Sequence, residues 1–136
     1  MNEILNIIDL ISEKHIVLRR EVEDRWAEQE EDISHTEALL LAKINMGKIS
    51  IAEIARQANI SRQAMFKCAK KLETRGYLIF VTNEQGNRYT ELTLKGNDYC
   101  KRSQELKEAL ENKIVDVLGK EQVKMLKELL NKNWIE

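Results

Sequence analysis

The sequence predicts a mainly α-helical fold with one small β-hairpin. Apolar residues recur at helical spacing through most of the chain, and the pattern changes between residues 77 and 93, where a β-rich run, a polar turn and an alternating run follow one another. Proline is absent, whereas Leu, Ile, Glu and Lys are plentiful, and this composition favours helices. With 136 residues, we expect one domain, 1–136, with a modest core.

A long amphipathic helix is predicted at the start of the chain, up to about Trp26. Its apolar stripe consists of Ile4, Ile7, Ile8, Ile11, Leu18 and Val22. Charged residues interrupt this stripe, and no apolar run reaches the roughly 18 residues that a membrane helix needs. We therefore expect neither a secretion signal nor a membrane partner, and the protein is predicted to be cytoplasmic.

Three shorter helices follow, and each is preceded by a serine suited to cap it. The three serines are Ser34, Ser50 and Ser61. Glu37 and Glu53 stand three residues after the first two serines, which predicts two capping boxes. The three helices are predicted to end at residues that tolerate a left-handed backbone, namely Gly47, Asn59 and Gly76.

The helices Ile51–Ala58 and Arg62–Arg75 meet the requirements of a helix-turn-helix. Ala55 is the small residue needed where two helices cross closely. Asn59 tolerates the positive φ of the turn, and Ile60 is the apolar residue that fills it. The second helix would then bury one face, formed by Met65, Cys68, Ala69 and Leu72.

The opposite face of that second helix carries polar and basic side chains, and it is the predicted DNA-binding surface. Its residues are Arg62, Gln63, Phe66, Lys67, Lys70 and Lys71. Because N-terminal residues of such a helix reach the bases, Arg62, Gln63 and Lys67 are the predicted base contacts, and Phe66 could press on a thymine methyl. Ser61 and the first-turn amides suit a phosphate. A basic helix face can also be merely solvated, so the interpretation depends on the turn and on the hairpin that follows.

A β-hairpin is predicted directly after this helix. Residues 77–81 are β-rich, residues 89–93 alternate, and a polar turn centred on Gly86 joins them. The hairpin would lie beside the helix as a wing, which gives a winged helix-turn-helix over residues 34–95. Arg88 is its predicted minor-groove or phosphate contact. Three tip residues could assist or could simply be solvated: Asn83, Gln85 and Asn87.

The charge of the chain is polarised although its sum is only −1. Acidic residues dominate between positions 21 and 32, and basic residues dominate between positions 61 and 75. Anions would therefore be attracted to the predicted recognition helix and repelled from the end of the first helix.

The terminal segments 1–30 and 97–136 are predicted to be dimerisation helices, because they carry more apolar surface than one small lobe can cover. The residues expected to meet a second copy are Ile4, Ile8, Ile11, Leu126, Leu130, Trp134 and Ile135. A two-fold homodimer would place two recognition helices about 34 Å apart, one turn of duplex DNA. The alternative is that these helices pack only within one chain.

Three segments of the chain resemble the MarR (multiple antibiotic resistance regulator) family. They are Ile-Ser-Ile-Ala-Glu-Ile-Ala at 49–55, Leu-Glu-Thr-Arg-Gly-Tyr-Leu at 72–78 and Leu-Thr-Leu-Lys-Gly at 92–96. With the long flanking helices, the likeness covers nearly the whole chain. It implies a bacterial transcription regulator, a repressor, that grips a pseudo-palindromic operator as a homodimer. The wing departs from the family's Asp-x-Arg pairing, since only Arg88 is present.

The resemblance also implies a small-molecule effector between the dimerisation helices and the DNA-binding lobe. Trp26, His35 and Tyr99 are the candidate pocket residues, with ordinary core positions as the alternative. No cofactor or metal site is predicted, because the two histidines have no clustered partner ligands. Cys68 and Cys100 are isolated and are interpreted as structural thiols.

Other functions are weighed against the regulator. The chain has no Gly-rich phosphate loop, no HExxH motif and no nucleophile–base pair, so an enzyme is not expected. A winged helix that binds protein, or a redox- or metal-sensing regulator of the same fold, is the alternative function.

Overall fold

The computed structural model describes residues 5–27 and 32–135, and within them it confirms the predicted order of helices and hairpin. Ile4 and residues 28–31, three of which are glutamates, lie outside this description. The elements are α1 (Ile7–Ala27), α2 (His35–Met46), α3 (Ile51–Ala58), α4 (Arg62–Thr74), β1 (Leu78–Thr82), β2 (Arg88–Leu92), α5 (Leu94–Leu118) and α6 (Lys120–Leu130).

The predicted serine caps all form. Each serine Oγ accepts a hydrogen bond from the backbone N–H three residues on, at 3.1 Å, in Ser34, Ser50 and Ser61. Glu37 completes the first capping box by accepting from the Ser34 N–H at 2.9 Å. The second box was predicted wrongly: the Glu53 carboxylate instead binds the Arg56 guanidinium. That hydrogen bond lowers the pKa of the Glu53 carboxyl.

The ends of the helices follow the prediction in two cases out of three. Asn59 adopts the left-handed conformation, with φ 55° and ψ 44°, at the turn between α3 and α4. Gly76 also has positive φ, 86°. Gly47 departs from the prediction, because it ends α2 with φ 158° and ψ −179°, a nearly extended backbone.

The core around the helix-turn-helix is formed by fully or almost fully buried side chains from three helices. They are Leu40, Leu41 and Ile44 of α2, Ile54 and Ala55 of α3, and Met65, Ala69 and Leu72 of α4. The small Ala55 is only 2% exposed, which confirms its place at a close helix contact. Cys68 is a correction, since it is only half-buried at the edge of this face.

The hairpin is antiparallel, and its register pairs Leu78 with Leu92 and Thr82 with Arg88. Its tip is closed by the Asn83 side chain, whose Oδ1 accepts hydrogen bonds from the backbone N–H groups of Gln85 and Asn87 at 3.0 and 2.9 Å. Each strand is displaced by one residue from the predicted position.

Helix α5 begins at Leu94, so Gly96 lies inside its first turn and does not precede it as predicted. The backbone at Gly96 lies so close to the turn after α4 that a Cβ on this residue would overlap the carbonyl oxygen of Tyr77. Thr93 fastens the same contact: its hydroxyl donates to the Gly76 carbonyl at 2.6 Å and accepts from the Gly96 N–H at 3.1 Å. The close approach of the two backbones thus explains why the 92–96 segment has threonine at position 93 and glycine at position 96.

The structure divides into two compact units, Met1–Arg102 and Ser103–Glu136. In the second unit, α6 begins after Gly119, whose φ is 99°, and Lys127 pairs with Glu111 at 3.1 Å. Helix α6 ends at Leu130, so the last residues of the predicted helical segment 97–136 lie beyond it. None of the helices in the described parts of the chain is long and apolar enough to cross a membrane.

Candidate nucleic-acid interface

The first turn of α4 projects its polar side chains into solvent. Arg62 and Gln63 are exposed directly after the Ser61 cap. Their backbone N–H groups lie at the helix start, where no preceding turn supplies a carbonyl partner. This end of α4 therefore offers a guanidinium, an amide side chain and free donors to an anion or to base edges.

The remaining basic residues of α4 do not share one environment. Lys67 and Lys71 are exposed, as predicted for DNA contact. The Lys70 ammonium pairs with Glu73 at 3.3 Å and lies 4.7 Å from the centre of the Phe80 ring. Lys70 is therefore turned toward the wing and partly neutralised.

The wing places Arg88 beside the recognition helix α4. The central guanidinium carbon of Arg88 lies 5.1 Å from the centre of the Phe80 ring. On the helix side, Phe66 lies 5.7 Å from the same ring, with the two ring planes at 56°. Phe66 is 39% exposed, so it lies on the outward face of α4, as the sequence predicts.

An open cleft of about 640 Å³ lies between the start of α3, the first turns of α4 and the wing. Four of the predicted DNA-binding residues line it: Arg62, Gln63, Phe66 and Arg88. A second cleft of about 380 Å³ lies next to it at the wing tip, with Asn83, Asn87 and Arg88 in its wall. Gln85 is exposed at the tip and lines neither cleft.

Sequence reasoning missed several residues of this surface. Phe80, Tyr89 and Ser50 line the larger cleft, and Lys48 lines the smaller one with its ammonium 5.4 Å from the Tyr89 ring. Lys48 could have been found as a basic residue in the loop before the helix-turn-helix. For Phe80 the sequence offered no such signal, because alternation places it on the same strand face as the buried Leu78.

Residues 31–88 match the family model described as the MarR family. This segment of the chain is similar to the MarR family. The match runs from just before α2 to the start of β2, so it contains the helix-turn-helix and most of the wing.

Solved structures share the fold of this chain along almost its whole length. Wild-type MarR of Escherichia coli in its apo form is 20% identical, with a TM-score of 0.77 over 95% of this chain and 96% of that one. A MarR family protein of Mycobacterium tuberculosis solved in complex with DNA is 24% identical, with a TM-score of 0.73 over 93% and 96%. The same protein in complex with salicylic acid has a TM-score of 0.72 at 24% identity, over 96% and 97%. No curated protein matches the chain.

The three predicted effector residues are divided between two places. Trp26 and Tyr99 are buried and stack on each other, with ring centres 4.8 Å apart and planes 16° from parallel. His35 is exposed at the start of α2, and its ring lies 6.2 Å from that of His15. Neither cleft described above is lined by any of the three.

The two cysteines lie in apolar or partly apolar surroundings. Burial raises the pKa of the Cys68 thiol to about 11, and the nearby Glu37 adds to the effect. At neutral pH this thiol is protonated and a poor nucleophile. Cys100 is buried, with its Sγ 3.6 Å from the Leu41 carbonyl oxygen. Among the described residues, no three His, Cys, Asp or Glu side chains are grouped so that they could hold a metal ion.

Proposed function

We propose that this chain is a transcriptional repressor of the MarR family that binds a pseudo-palindromic DNA operator as a homodimer. The observation that carries the proposal is the open cleft at which Arg62 and Gln63 of the recognition helix meet Arg88 of the wing. The family is one of transcription regulators, and we propose no enzymatic activity. The site of action that fits this function is the cytoplasm.

The proposed mode of binding places the start of α4 in the major groove. Gln63 would make a bidentate contact to adenine, and Arg62 and Lys67 would contact guanine or phosphate. Ser61 and the first-turn N–H groups would hold a backbone phosphate. Arg88 would enter the adjacent minor groove or contact its edge, with Asn83, Gln85 and Asn87 beside it. Because basic side chains that contact phosphates release counterions from the DNA, binding is expected to weaken as the salt concentration rises.

The solved relatives support two parts of this proposal. The Mycobacterium protein in complex with DNA has the same fold, which supports duplex DNA as the partner. Its complex with salicylic acid supports a small aromatic acid as the effector. In this chain the effector would release the operator, and the proposed contacts are Trp26, His35 and Tyr99.

Selection of duplexes from a random pool tests the proposal directly. We expect a preferred site with two symmetric half-sites about 10 base pairs apart, because two recognition helices of a dimer enter successive major grooves. Recovery of no preferred site at low salt would contradict DNA recognition. In that case the same fold would serve protein binding.

Gln63→Ala is expected to weaken binding to the selected site by about 1–3 kcal/mol and to relax the preference at one base pair of each half-site. The cause is the loss of a bidentate contact to one base. Fluorescence anisotropy on the selected site and on its single-base variants measures both effects. Gln104→Ala, an exposed glutamine of α5, is the matched control and should leave binding unchanged. An equal loss on every sequence would remove Gln63 from the base contacts.

The homodimer is proposed from apolar side chains that the single chain leaves in solvent. The predicted dimerisation residues within the described chain are all at least 41% exposed: Ile8, Ile11, Leu126, Leu130, Trp134 and Ile135. Trp134 donates its indole N–H to the Leu129 carbonyl at 2.8 Å, so its ring is held at this surface. A second copy of the chain would cover them.

Sedimentation equilibrium is expected to give twice the chain mass of 15.9 kDa. Leu130→Asp, in an exposed position of α6, should shift the mass toward that of the monomer, because an unpaired carboxylate at an apolar interface is costly. Glu128→Asp, an exposed change on the same helix, is the control. A wild-type protein that sediments as a monomer at micromolar concentration would contradict the homodimer.

A further inference from the structure

Phe80 is a half-buried residue of β1 that touches both parts of the proposed DNA-binding surface. Its ring lies 4.7 Å from the Lys70 ammonium and 5.7 Å from the Phe66 ring, both on α4. From the wing, the Arg88 guanidinium lies 5.1 Å from the same ring. Two cations from different elements thus share one aromatic side chain.

We infer that Phe80 is a positioning residue for DNA recognition: its ring fixes the Lys70 and Arg88 side chains relative to each other. The inference rests on the proposed function, because it concerns the geometry with which those cations meet DNA. Phe80 itself touches no base or phosphate in this account. It acts through the two charged side chains that it holds.

The local structure explains why the Lys70 ammonium and the Arg88 guanidinium meet at the Phe80 ring. Phe66 and Lys70 are four residues apart on α4, so they project from the same face of the helix. Arg88 and Thr90 lie on one face of β2, and Thr90 pairs with Phe80 across the hairpin. Arg88 is therefore the diagonal neighbour of Phe80, within reach of its ring.

The physical basis is the negative face of the aromatic ring, which attracts a cation and leaves its outer side open to solvent. Arginine and lysine have many rotamers in solution, and a DNA complex must order them. A ring that already orders them lowers this cost and so strengthens binding. An aliphatic side chain of similar size fills the same space but does not attract the cations.

The experiment compares Phe80→Leu, which removes the ring, with Phe80→Tyr, which keeps it. On the duplex selected by the wild-type protein, Phe80→Leu is expected to raise Kd by about fivefold and Phe80→Tyr by less than about twofold. Arg88→Ala should flatten the slope of log Kd against log salt by about one unit, and Phe80→Leu by a part of that. Because part of the Phe80→Leu loss acts through Arg88 and the rest through Lys70, the loss in the double variant should be smaller than the sum of the two single losses.

Three outcomes would overturn the inference. The first is a Phe80→Leu protein that binds the duplex with wild-type affinity. The second is an equal loss of affinity in Phe80→Leu and Phe80→Tyr. The third is a double variant whose loss of binding free energy equals the sum of the Phe80→Leu and Arg88→Ala losses. Thermal unfolding accompanies each titration, so that a general loss of structure is recognised. If Phe80→Leu does not fold, Phe80→Met replaces it, because methionine adapts to the same apolar space.

A measurement without DNA separates this inference from the proposed function. In NMR spectra of the full-length protein, the ring should shift the methylene protons next to the Lys70 and Arg88 charges upfield. Phe80→Leu should abolish the Arg88 shift and reduce the Lys70 shift, which keeps a contribution from the Phe66 ring, 5.8 Å from the Lys70 ammonium. Phe80→Tyr should keep both shifts. An Arg88 shift that persists in Phe80→Leu would overturn the placement of the cations, whereas a wild-type protein with this placement and no affinity for any duplex of the random pool would overturn the proposed function.

Discussion

Arg75→Ala is expected to lower the free energy of unfolding by about 3 kcal/mol, because it leaves a buried carboxylate without its cation. Glu37 is only 4% exposed, and Arg75 donates to its Oε2 at 3.2 Å. The other guanidinium nitrogen donates to the Asp32 carbonyl at 2.7 Å, so the same side chain ties α2 to the end of α4. The Arg75 side chain is itself 30% exposed, which keeps the expected loss near the lower end for buried pairs.

Urea denaturation measures this loss, with unchanged m-values required for the comparison. Arg19→Ala is the matched control, since the Arg19–Glu23 pair on α1 is exposed on both sides and its removal should cost less than about 0.5 kcal/mol. Joint replacement of the pair, Arg75→Met with Glu37→Leu, should recover much of the stability, because no unpaired charge is then buried. Equal midpoints for Arg75→Ala and Arg19→Ala would show that the Glu37 carboxylate does not need its partner.

Gly96→Ala is the second large effect, with an expected loss of about 3 kcal/mol. Alanine favours a helix over glycine by roughly 1 kcal/mol, so helix propensity alone predicts the opposite sign. At this position, however, the added Cβ would overlap the Tyr77 carbonyl oxygen, a backbone atom that cannot turn aside like a flexible side chain. The start of α5 would have to move away from the turn after α4, and the Thr93 hydrogen bonds to Gly76 and Gly96 would be lost.

Asn97→Ala is the control for Gly96→Ala, because Asn97 is the next residue of α5 and is exposed. It should leave stability unchanged or raise it slightly through helix propensity. Calorimetric unfolding of the two variants beside the wild type gives the comparison. A Gly96→Ala protein as stable as the Asn97→Ala protein would mean that α5 does not need its close approach to Tyr77.

Local features of this fold were predictable from the sequence because they depend on neighbouring residues. Ser34 and Glu37 specify a helix start, since both hydrogen bonds of the capping box span three residues. Asn59 marks the turn of the helix-turn-helix because few residues other than glycine accept its backbone angles. The outward position of Arg62 and Gln63 followed from the spacing of the buried residues on the same helix.

Features that depend on contacts distant in the sequence were not predictable. The partner of the buried Glu37 is Arg75, 38 residues away, and a capping box gives no sign of it. The stacking of Trp26 on Tyr99 joins α1 to α5, and nothing in the sequence indicates that these two candidate pocket residues pack against each other. The position of Lys70 over Phe80 depends on how the wing packs against α4, and the spacing of residues along the helix gives no sign of it.

Hydrogen bonds hold α4 at its C-terminal end, so a small rotation of the helix about that end displaces its N-terminal end by a larger distance. The side chain of Arg75, directly after the helix, donates to Glu37 of α2 at 3.2 Å, and the backbone carbonyl of Arg75 accepts from the Lys95 ammonium at 2.8 Å. The 13 residues of α4 span about 20 Å, so a tilt of about 5° at the held end would displace the far end by roughly 2 Å. Two ångströms is the difference between a good hydrogen bond to a base and none. Substitutions at Arg75 are therefore expected to change the operator preference, although Arg75 lies a full helix length from the end of α4 that is proposed to contact the bases.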